Sequence, residues 1–298
     1  MKLKKLILIT LTLILTLSLA ACNAMKPERQ KKTTEKGQMK VGEMMQEDKQ
    51  HVWFVGQHSN TEDIDGTSNI TRILVSKNGK MKVYDLQDTK NSNLNRYAKM
   101  SDKEIISFSK KQDKKRFDVV HDDLLNLTNG EIKEAKKYEK EGDDYESPVP
   151  IENESVVYGY ASYSEDDVDV SLDKLNKYQD GLEKSKYKSP TAKPLKLFYK
   201  DSDLKLDISR NYPLPKNGVA HPNYVDEDLS ALYFEKSLQP KDYNGQKFAG
   251  VAEDGDKYSE EKEVLFLTTK VNNKVKNVLI DENDDPAIKA STPKKGEE

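Results

Sequence analysis

The sequence contains a single cysteine, Cys22, so no disulfide can form within one copy of the chain. Secreted proteins often use disulfides to stabilise small cores, and that route requires cysteine pairs. Any fold that this chain adopts must therefore be stabilised by buried apolar surface and hydrogen bonds. Its 298 residues are enough for one large domain or two small ones.

The N-terminus has the three-part pattern of an export signal. Three lysines among the first five residues make it positively charged, and a mostly apolar run follows from residue 6 to residue 19. Two small residues, Ala20 and Ala21, then precede Cys22. The apolar run is shorter than the roughly 20 residues that comfortably span a bilayer. We predict that residues 1–21 are a signal peptide, cleaved between Ala21 and Cys22.

The end of this segment, Leu19-Ala20-Ala21-Cys22, resembles the lipobox of bacterial lipoproteins. In that family the cysteine sulfur receives a diacylglycerol, a peptidase cuts before the cysteine, and the new amino group can be acylated. The resemblance covers the first 22 residues. It implies that Cys22 carries a lipid and holds the exported chain on the outer face of the cell membrane. Two acyl chains suffice for stable anchoring, because each buried CH₂ contributes about 0.8 kcal/mol.

The charge balance restricts the class of partner. Removal of residues 1–21 takes away three lysines and no acid, which shifts the net charge from −3 to −6. A mildly acidic chain offers no basic face to a nucleic acid, so we expect no nucleic-acid partner. The charged fraction is 34%, above the usual value of about 25%. This composition predicts a globular protein with a very polar surface.

The remainder of the chain divides into three parts. Residues 22–50 contain few apolar residues other than methionines, which predicts a flexible, lipidated tether. A globular domain is predicted from residue 51 to residue 286. The polar, proline-containing segment 184–194 is the best candidate for a subdomain boundary within it. Residues 287–298 are predicted to be a disordered tail.

We predict an α+β fold made predominantly of antiparallel β hairpins and meanders, with a few short helices. Three tight turns between apolar runs carry this prediction: Asn78-Gly79, residues 201–203, and Asn272-Asn273. Asn-Gly is favoured in type I′ turns because both residues tolerate positive φ. Val83 and Leu86 cannot face the same side of a regular strand, so we expect an irregularity near the end of the first hairpin.

Two helices are predicted. Ser101 and Glu104 match a capping box, and Met100 and Ile105 occupy the positions of a hydrophobic staple. Five cations between residues 110 and 116 are interpreted as the C-terminal end of this helix, where the dipole favours positive charge. A second, short helix is predicted from residue 171 to residue 182.

The four histidines, which are the candidate metal ligands, are scattered along the chain. His51 and His58 are predicted to lie on opposite faces of one strand. His121 stands beside Asp122 and Asp123, which we interpret as a solvated turn or helix start. The remaining histidine, His221, has no acidic neighbour within four residues.

Acidic segments do not complete a metal-binding loop. The segment with Asp63, Asp65 and Gly66 places Thr61 first and Arg72 last in an EF-hand alignment, where the motif requires acids. The acidic segments 253–256 and 281–285 are interpreted as solvated turns. We therefore predict no metal and no cofactor.

Catalytic motifs are absent from the sequence. Two S-x-x-K matches, Ser107–Lys110 and Ser185–Lys188, lack the Ser-Asp-Asn and Lys-Thr-Gly motifs of penicillin-binding enzymes. The chain contains no P-loop, G-x-G-x-x-G or G-x-S-x-G pattern. We assign no catalytic residue and expect a protein that is not an enzyme.

One weak binding signal remains, on a predicted strand from residue 155 to residue 163. Tyr158, Tyr160 and Tyr163 can stack on sugars or peptides if exposed, whereas if buried they only fill the core. Beyond the lipobox, the chain resembles uncharacterised Gram-positive surface lipoproteins in composition and layout.

Two hypotheses for function follow. The leading one is a membrane-anchored extracytoplasmic lipoprotein that acts as a non-enzymatic binding module for a cell-wall, peptide or protein partner. The alternative is an extracytoplasmic hydrolase whose carboxylates are brought together only by the fold. A concave site with two carboxylates roughly 5–10 Å apart would favour the hydrolase.

Overall fold

Helices and strands contribute similar numbers of residues to the structure, a computed structural model that describes residues 37–59, 64–141, 172–200, 203–215, 231–254 and 263–293. The helices of these segments are α1 (Val41–Gln46), α2 (Leu94–Ala98), α3 (Asp102–Glu141), α4 (Leu172–Lys184) and α5 (Pro286–Ser291). The strands are β1 (Gln38–Lys40), β2 (His51–Ser59), β3 (Ile70–Lys77), β4 (Lys80–Asp85), β5 (Lys193–Pro194), β6 (Leu197–Lys200), β7 (Asp203–Asp207), β8 (Ala231–Phe234), β9 (Lys236–Tyr243), β10 (Gln246–Ala252), β11 (Glu263–Val271) and β12 (Asn277–Leu279).

The strands form three sheets. The largest has seven strands in the order β5-β4-β3-β2-β11-β10-β9, and the second has three in the order β6-β7-β8. All neighbours in these two sheets are antiparallel. The third sheet is the parallel pair β1 and β12. The predicted α+β fold with mainly antiparallel strands is confirmed.

Two of the three predicted hairpins are present. Asn78 and Gly79 have φ values of 53° and 64° and join β3 to β4, as expected for a type I′ turn. β6 and β7 also pair as predicted. The prediction of a third hairpin, at Asn272-Asn273, is wrong, because β11 and β12 do not pair. β11 already has β2 and β10 on its two edges, so β12 pairs with β1 instead.

The central strands of the seven-stranded sheet are buried on both faces, which explains their continuous apolar runs. Val83 belongs to the cluster that packs against the three-stranded sheet, β1 and α1. Leu86 belongs to the opposite cluster, which is covered by α2 and the start of α3. β3 and β4 pair without a register shift, so the prediction of an irregularity near the end of this hairpin is wrong. Val83 and Leu86 instead face different core clusters.

Helix α3 begins as predicted but ends much later. Ser101 Oγ accepts from Glu104 N at 3.3 Å, and Glu104 Oε2 accepts from Ser101 N at 2.7 Å, which completes the capping box. The cations at 110–116 do not mark its end, because the helix continues to Glu141 and is not short. An apolar stripe stabilises the later turns of α3, where Val120 and Leu124 pack against α4. Helix α4, from Leu172 to Lys184, confirms the second predicted helix.

The predicted domain boundaries are wrong at both ends. Met39, Val41 and Met45 are at most 3% exposed and belong to the main core, so the folded region includes residues before His51. At the other end, Ala287 and Ile288 are buried in α5, within the segment predicted to be a disordered tail. Gly37–Glu298 forms one compact unit, so segment 184–194 is not a boundary. It delivers β5 to the edge of the large sheet.

Candidate binding cleft

An open cleft of about 780 Å³ lies beside the β4–β5 edge of the seven-stranded sheet. Met81, Val83 and Leu195, which belong to the main core, line its floor. Segment 188–196 lines one side, and residues 207–213 with the end of α5 line the other. We call the first of these sides the lysine wall, because it contains Lys188, Lys193 and Lys196.

Proline explains why the lysine wall separates from the sheet. β5 pairs with β4 at only two positions, Lys80 with Pro194 and Met81 with Lys193. Proline has no N–H to donate, which confines it to the edges and ends of sheets. Pro190 and Pro194 therefore limit pairing along this segment. The chain before Lys193 lies beside the sheet without joining it, and this leaves room for the cleft.

A buried ion pair connects the cleft to α3. Arg210 Nε donates to Asp113 Oδ1 at 3.1 Å, and Arg210 Nη2 donates to Asp113 Oδ2 at 3.0 Å. The side chains of these two residues are 8% and 0% exposed. Asp113 also accepts from the Tyr187 hydroxyl at 2.9 Å and from the backbone N–H of Asp85 at 3.0 Å. The two oxygens of this buried carboxylate thus accept from donors on Arg210, Tyr187 and Asp85, which offsets the cost of burying it.

The environment of this pair shifts the ionisation of its neighbours. Burial alone would lower the pKa of Arg210, but the hydrogen bonds and the charge of Asp113 outweigh burial and raise it. Burial, with a smaller contribution from Asp113, raises the pKa of Tyr187 to about 12. The pKa of Tyr212 is also raised, mainly by burial and then by Asp85 and Asp113. Both tyrosines are therefore neutral donors at physiological pH.

The same guanidinium holds the two sides of the cleft together. Arg210 Nη2 donates to the carbonyl of Lys188 at 2.9 Å, and Nη1 donates to the carbonyl of Asn211 at 2.8 Å. Its charge lies 4.5 Å from the centre of the Tyr212 ring. Lys188 belongs to the lysine wall, whereas Arg210 itself lies on the other side, so the bond to Lys188 joins the two sides. The cleft is therefore formed before any ligand arrives, and Arg210 is a positioning residue.

Positive charge dominates the described lining of the cleft. It contains Lys188, Lys193, Lys196 and Arg210, while Asp207 is its one carboxylate. Asp207 Oδ1 accepts from the backbone N–H and the hydroxyl of Ser209, at 2.9 and 2.6 Å. These two bonds hold the Asp207 carboxylate in the turn that it forms with Ser209.

The acidic segment 281–285 is not the solvated turn that the sequence suggested. Asp281 and Asp285 are both 0% exposed. Asp281 Oδ2 accepts from the backbone N–H of Gly42 at 2.8 Å, and Asp285 Oδ2 accepts from Lys40 Nζ at 2.6 Å. Desolvation raises the pKa of Asp281 to about 6, although the bond from Gly42 opposes this. These carboxylates attach the N-terminal segment to the turn before α5.

Of the other acidic segment the structure describes Glu253 and Asp254, and neither is fully exposed to solvent. Glu253 is 8% exposed, and its Oε2 accepts from the backbone N–H of Leu265 at 2.9 Å.

Asp65, from the segment compared with a calcium loop, accepts from the backbone N–H groups of Thr67 and Ser68 at 2.6 and 3.0 Å. Within the described segments, no group of three or more His, Cys, Asp or Glu residues is arranged to hold a metal ion.

The histidines have structural contacts. His51 Nε2 lies 2.8 Å from Glu47 Oε2, and the His51 ring lies beside Trp53 in the main core. The His58 ring packs 6.0 Å from that of Phe266, in the opposite cluster, so the predicted opposite faces are confirmed. His121 lies inside α3, not in a turn or at a helix start. Its Nε2 lies 2.8 Å from the carbonyl of Leu182 in α4.

Other candidate residues lie outside the described residues or away from the cleft. Cys22, His221 and Asp63 are outside the described residues, as are the weak binding candidates Tyr158, Tyr160 and Tyr163. Of the two S-x-x-K matches, Ser107 and Lys110 are both exposed on α3. The Ser185 hydroxyl donates to the carbonyl of Gly181 at 2.9 Å, while Lys188 lines the cleft.

Sequence reasoning missed Asp113 and Arg210, the residues that shape the cleft. They are 97 positions apart and belong to no short motif. Comparisons with protein-family models, with curated proteins and with solved structures found no match to this chain. None of the described helices combines the length and the apolar character required to cross a bilayer.

Proposed function

We propose that this chain is an extracytoplasmic lipoprotein, held on the outer face of the cell membrane by a lipid on Cys22, and that it binds its partner in the cleft without transforming it. The lipobox-like sequence Leu19-Ala20-Ala21-Cys22 supports the anchor. The preformed cationic cleft carries the binding part of the proposal. The partner is a component of the cell envelope.

The dimensions and rigidity of the cleft support binding. A volume of about 780 Å³ is within the range of small-molecule and peptide-anchor sites. Arg210 joins its own side to the lysine wall through the carbonyl of Lys188, so little conformational entropy is lost when a ligand binds. The buried floor of Met81, Val83 and Leu195 adds apolar surface beneath the charged wall.

The carboxylates support binding over hydrolysis. A hydrolase of the kind considered above needs two carboxylates facing one substrate. Among the described lining residues the cleft offers Asp207 alone. Asp281 and Asp285 are 0% exposed and bonded to Gly42 and Lys40, so they hold the fold together away from solvent.

Capture from native envelopes tests the proposal. The unlipidated chain from residue 23 to residue 298 is immobilised and titrated with an envelope extract. We expect saturable capture of one envelope component, and we expect Thr191→Trp, which places a bulky side chain on the exposed lysine wall, to abolish it. Ser107→Trp, at an exposed position of α3, is the matched control and should capture normally.

Two results would contradict the proposal. One is the absence of saturable capture by the unmodified protein. The other is release of cleaved wall fragments or peptides from the extract, which would support the hydrolase.

A further inference from the structure

The cleft concentrates positive charge on a chain whose net charge is −3. Arg210 is balanced by Asp113 beneath it, so Lys188 and Lys193 of the lysine wall exceed Asp207 by one positive charge. Lys188 and Lys193 are exposed, and neither forms an ion pair with a carboxylate of the described residues. A site of this kind attracts an anion, and the attraction is strengthened by the low-dielectric floor.

The type of cation selects the type of anion. Planar carboxylates are best recognised by the fixed fork of an arginine. The fork of Arg210 is occupied by Asp113, and its remaining nitrogen donates to Asn211, so it offers a ligand little. Lysines act as mobile point charges that suit the tetrahedral phosphate group. Thr191, exposed on the lysine wall, adds a hydroxyl donor.

The floor of the cleft indicates that the ligand is more than an inorganic ion. A phosphate group occupies only a small part of 780 Å³. The apolar side chains of Met81, Val83 and Leu195 lie under the lysines. A ligand that matches both surfaces has a phosphate at one end and carbon-rich groups at the other.

We infer that the cleft binds a phosphate ester, with its phosphate on Lys188 and Lys193 and its organic part on the apolar floor. This inference rests on the proposed function and names the ligand class of the same site. The ester can be a free molecule or the headgroup of an anionic phospholipid, since both present the same chemistry.

The test compares two variants with equal loss of charge. The cleft variant is Lys188→Gln/Lys193→Gln, and the control variant is Lys110→Gln/Lys111→Gln, at two exposed positions of α3. Titration calorimetry with glycerol 3-phosphate measures binding of a free ester to the chain from residue 23 to residue 298. Flotation with vesicles of phosphatidylglycerol, and of phosphatidylcholine for comparison, measures headgroup binding. The near-UV circular dichroism of the buried Trp53 reports that each variant is folded.

We expect the unmodified and control proteins to bind with equal affinity and the folded cleft variant to bind at least tenfold more weakly. Binding of glycerol 3-phosphate identifies a free ester as the source, and binding of phosphatidylglycerol vesicles alone identifies a headgroup. Equal binding by all three proteins, or no binding of either probe by the unmodified protein, overturns the inference. If the cleft variant still captures its envelope partner, the proposed function stands and only the phosphate assignment fails. If the unmodified protein captures nothing, the proposed function itself fails.

Discussion

At the scale of single residues, burial controls the ionisation of Asp281 more than its hydrogen bond does. The side chain is 0% exposed, and Asp281 Oδ1 has no hydrogen-bond partner among the described residues. Desolvation raises its pKa from 3.8 to about 6, against the opposing effects of Gly42 N–H and Lys40. Because the folded-state pKa is above the unfolded value, this group favours the folded state most below about pH 4. That contribution is lost as the pH rises through 6.

We therefore predict that Asp281→Asn stabilises the protein at pH 7.5 and not at pH 4. The neutral amide can still accept the hydrogen bond from Gly42, and it removes the desolvated charge. The shift from 3.8 to about 6 sets an upper limit of about 3 kcal/mol on the gain, and we expect roughly 1–2 kcal/mol. Urea unfolding at both pH values measures the difference.

The exposed neighbour Asp284 provides the control for this measurement. Asp284→Asn removes one acid from the same turn and should change the free energy of unfolding by less than about 0.5 kcal/mol at either pH. A destabilised Asp281→Asn protein at pH 7.5, or a gain that does not change with pH, would show that the buried charge is not the controlling factor.

At the scale of secondary-structure elements, local signals were sufficient where the deciding contacts lie within a few residues. The capping box of Ser101 and Glu104 and the turn at Asn78-Gly79 are of this kind, and both were predicted. The pairing of β12 with β1 joins residues about 240 positions apart. No local pattern distinguishes that partner from β11, since availability of an edge decides the pairing.

The same limit explains the misplaced domain boundaries and the missed cleft. Met39, Val41 and Met45 are too few to mark a core segment in a polar stretch, yet all three are buried against distant elements. The cleft depends on Asp113 in α3 and Arg210 after β7, whose meeting requires the whole fold. What the sequence did supply for this site was the prolines, Pro190 and Pro194, that limit the pairing of this segment with the sheet to two positions.

We predict that a fragment limited to residues 51–286 does not fold cooperatively, whereas residues 37–293 do. The shorter fragment lacks β1, α1 and nearly all of α5, with the buried side chains of Met39, Val41, Met45 and Ile288. Full burial of each contributes about 1.5–3 kcal/mol, and together they approach the 5–15 kcal/mol stability of a typical domain. Near-UV circular dichroism of Trp53 during urea unfolding measures the loss. Coincident transitions of the two fragments would show that the N-terminal segment is dispensable.

At the scale of the whole molecule, the early start of the folded region shortens the connection to the proposed anchor. Residues 23–36 separate Cys22 from Gly37, the first residue of the compact unit. These 14 residues can span at most about 50 Å, because an extended chain advances about 3.3–3.6 Å per residue. A lipid on Cys22 would therefore leave at most about 50 Å of chain between the anchor and Gly37.

The anchor itself gives the last prediction. We expect the unmodified chain, expressed in a bacterium that processes lipoproteins, to incorporate a labelled fatty acid and to sediment with membranes. Cys22→Ala should lose the label and leave the membrane fraction, because Cys22 is the only thiol in the chain and no other residue can accept a thioether-linked lipid. Asn23→Gln, which keeps the cysteine, is the control and should be labelled normally. Label that persists on the Cys22→Ala protein would locate the lipid elsewhere and remove the basis for the anchor.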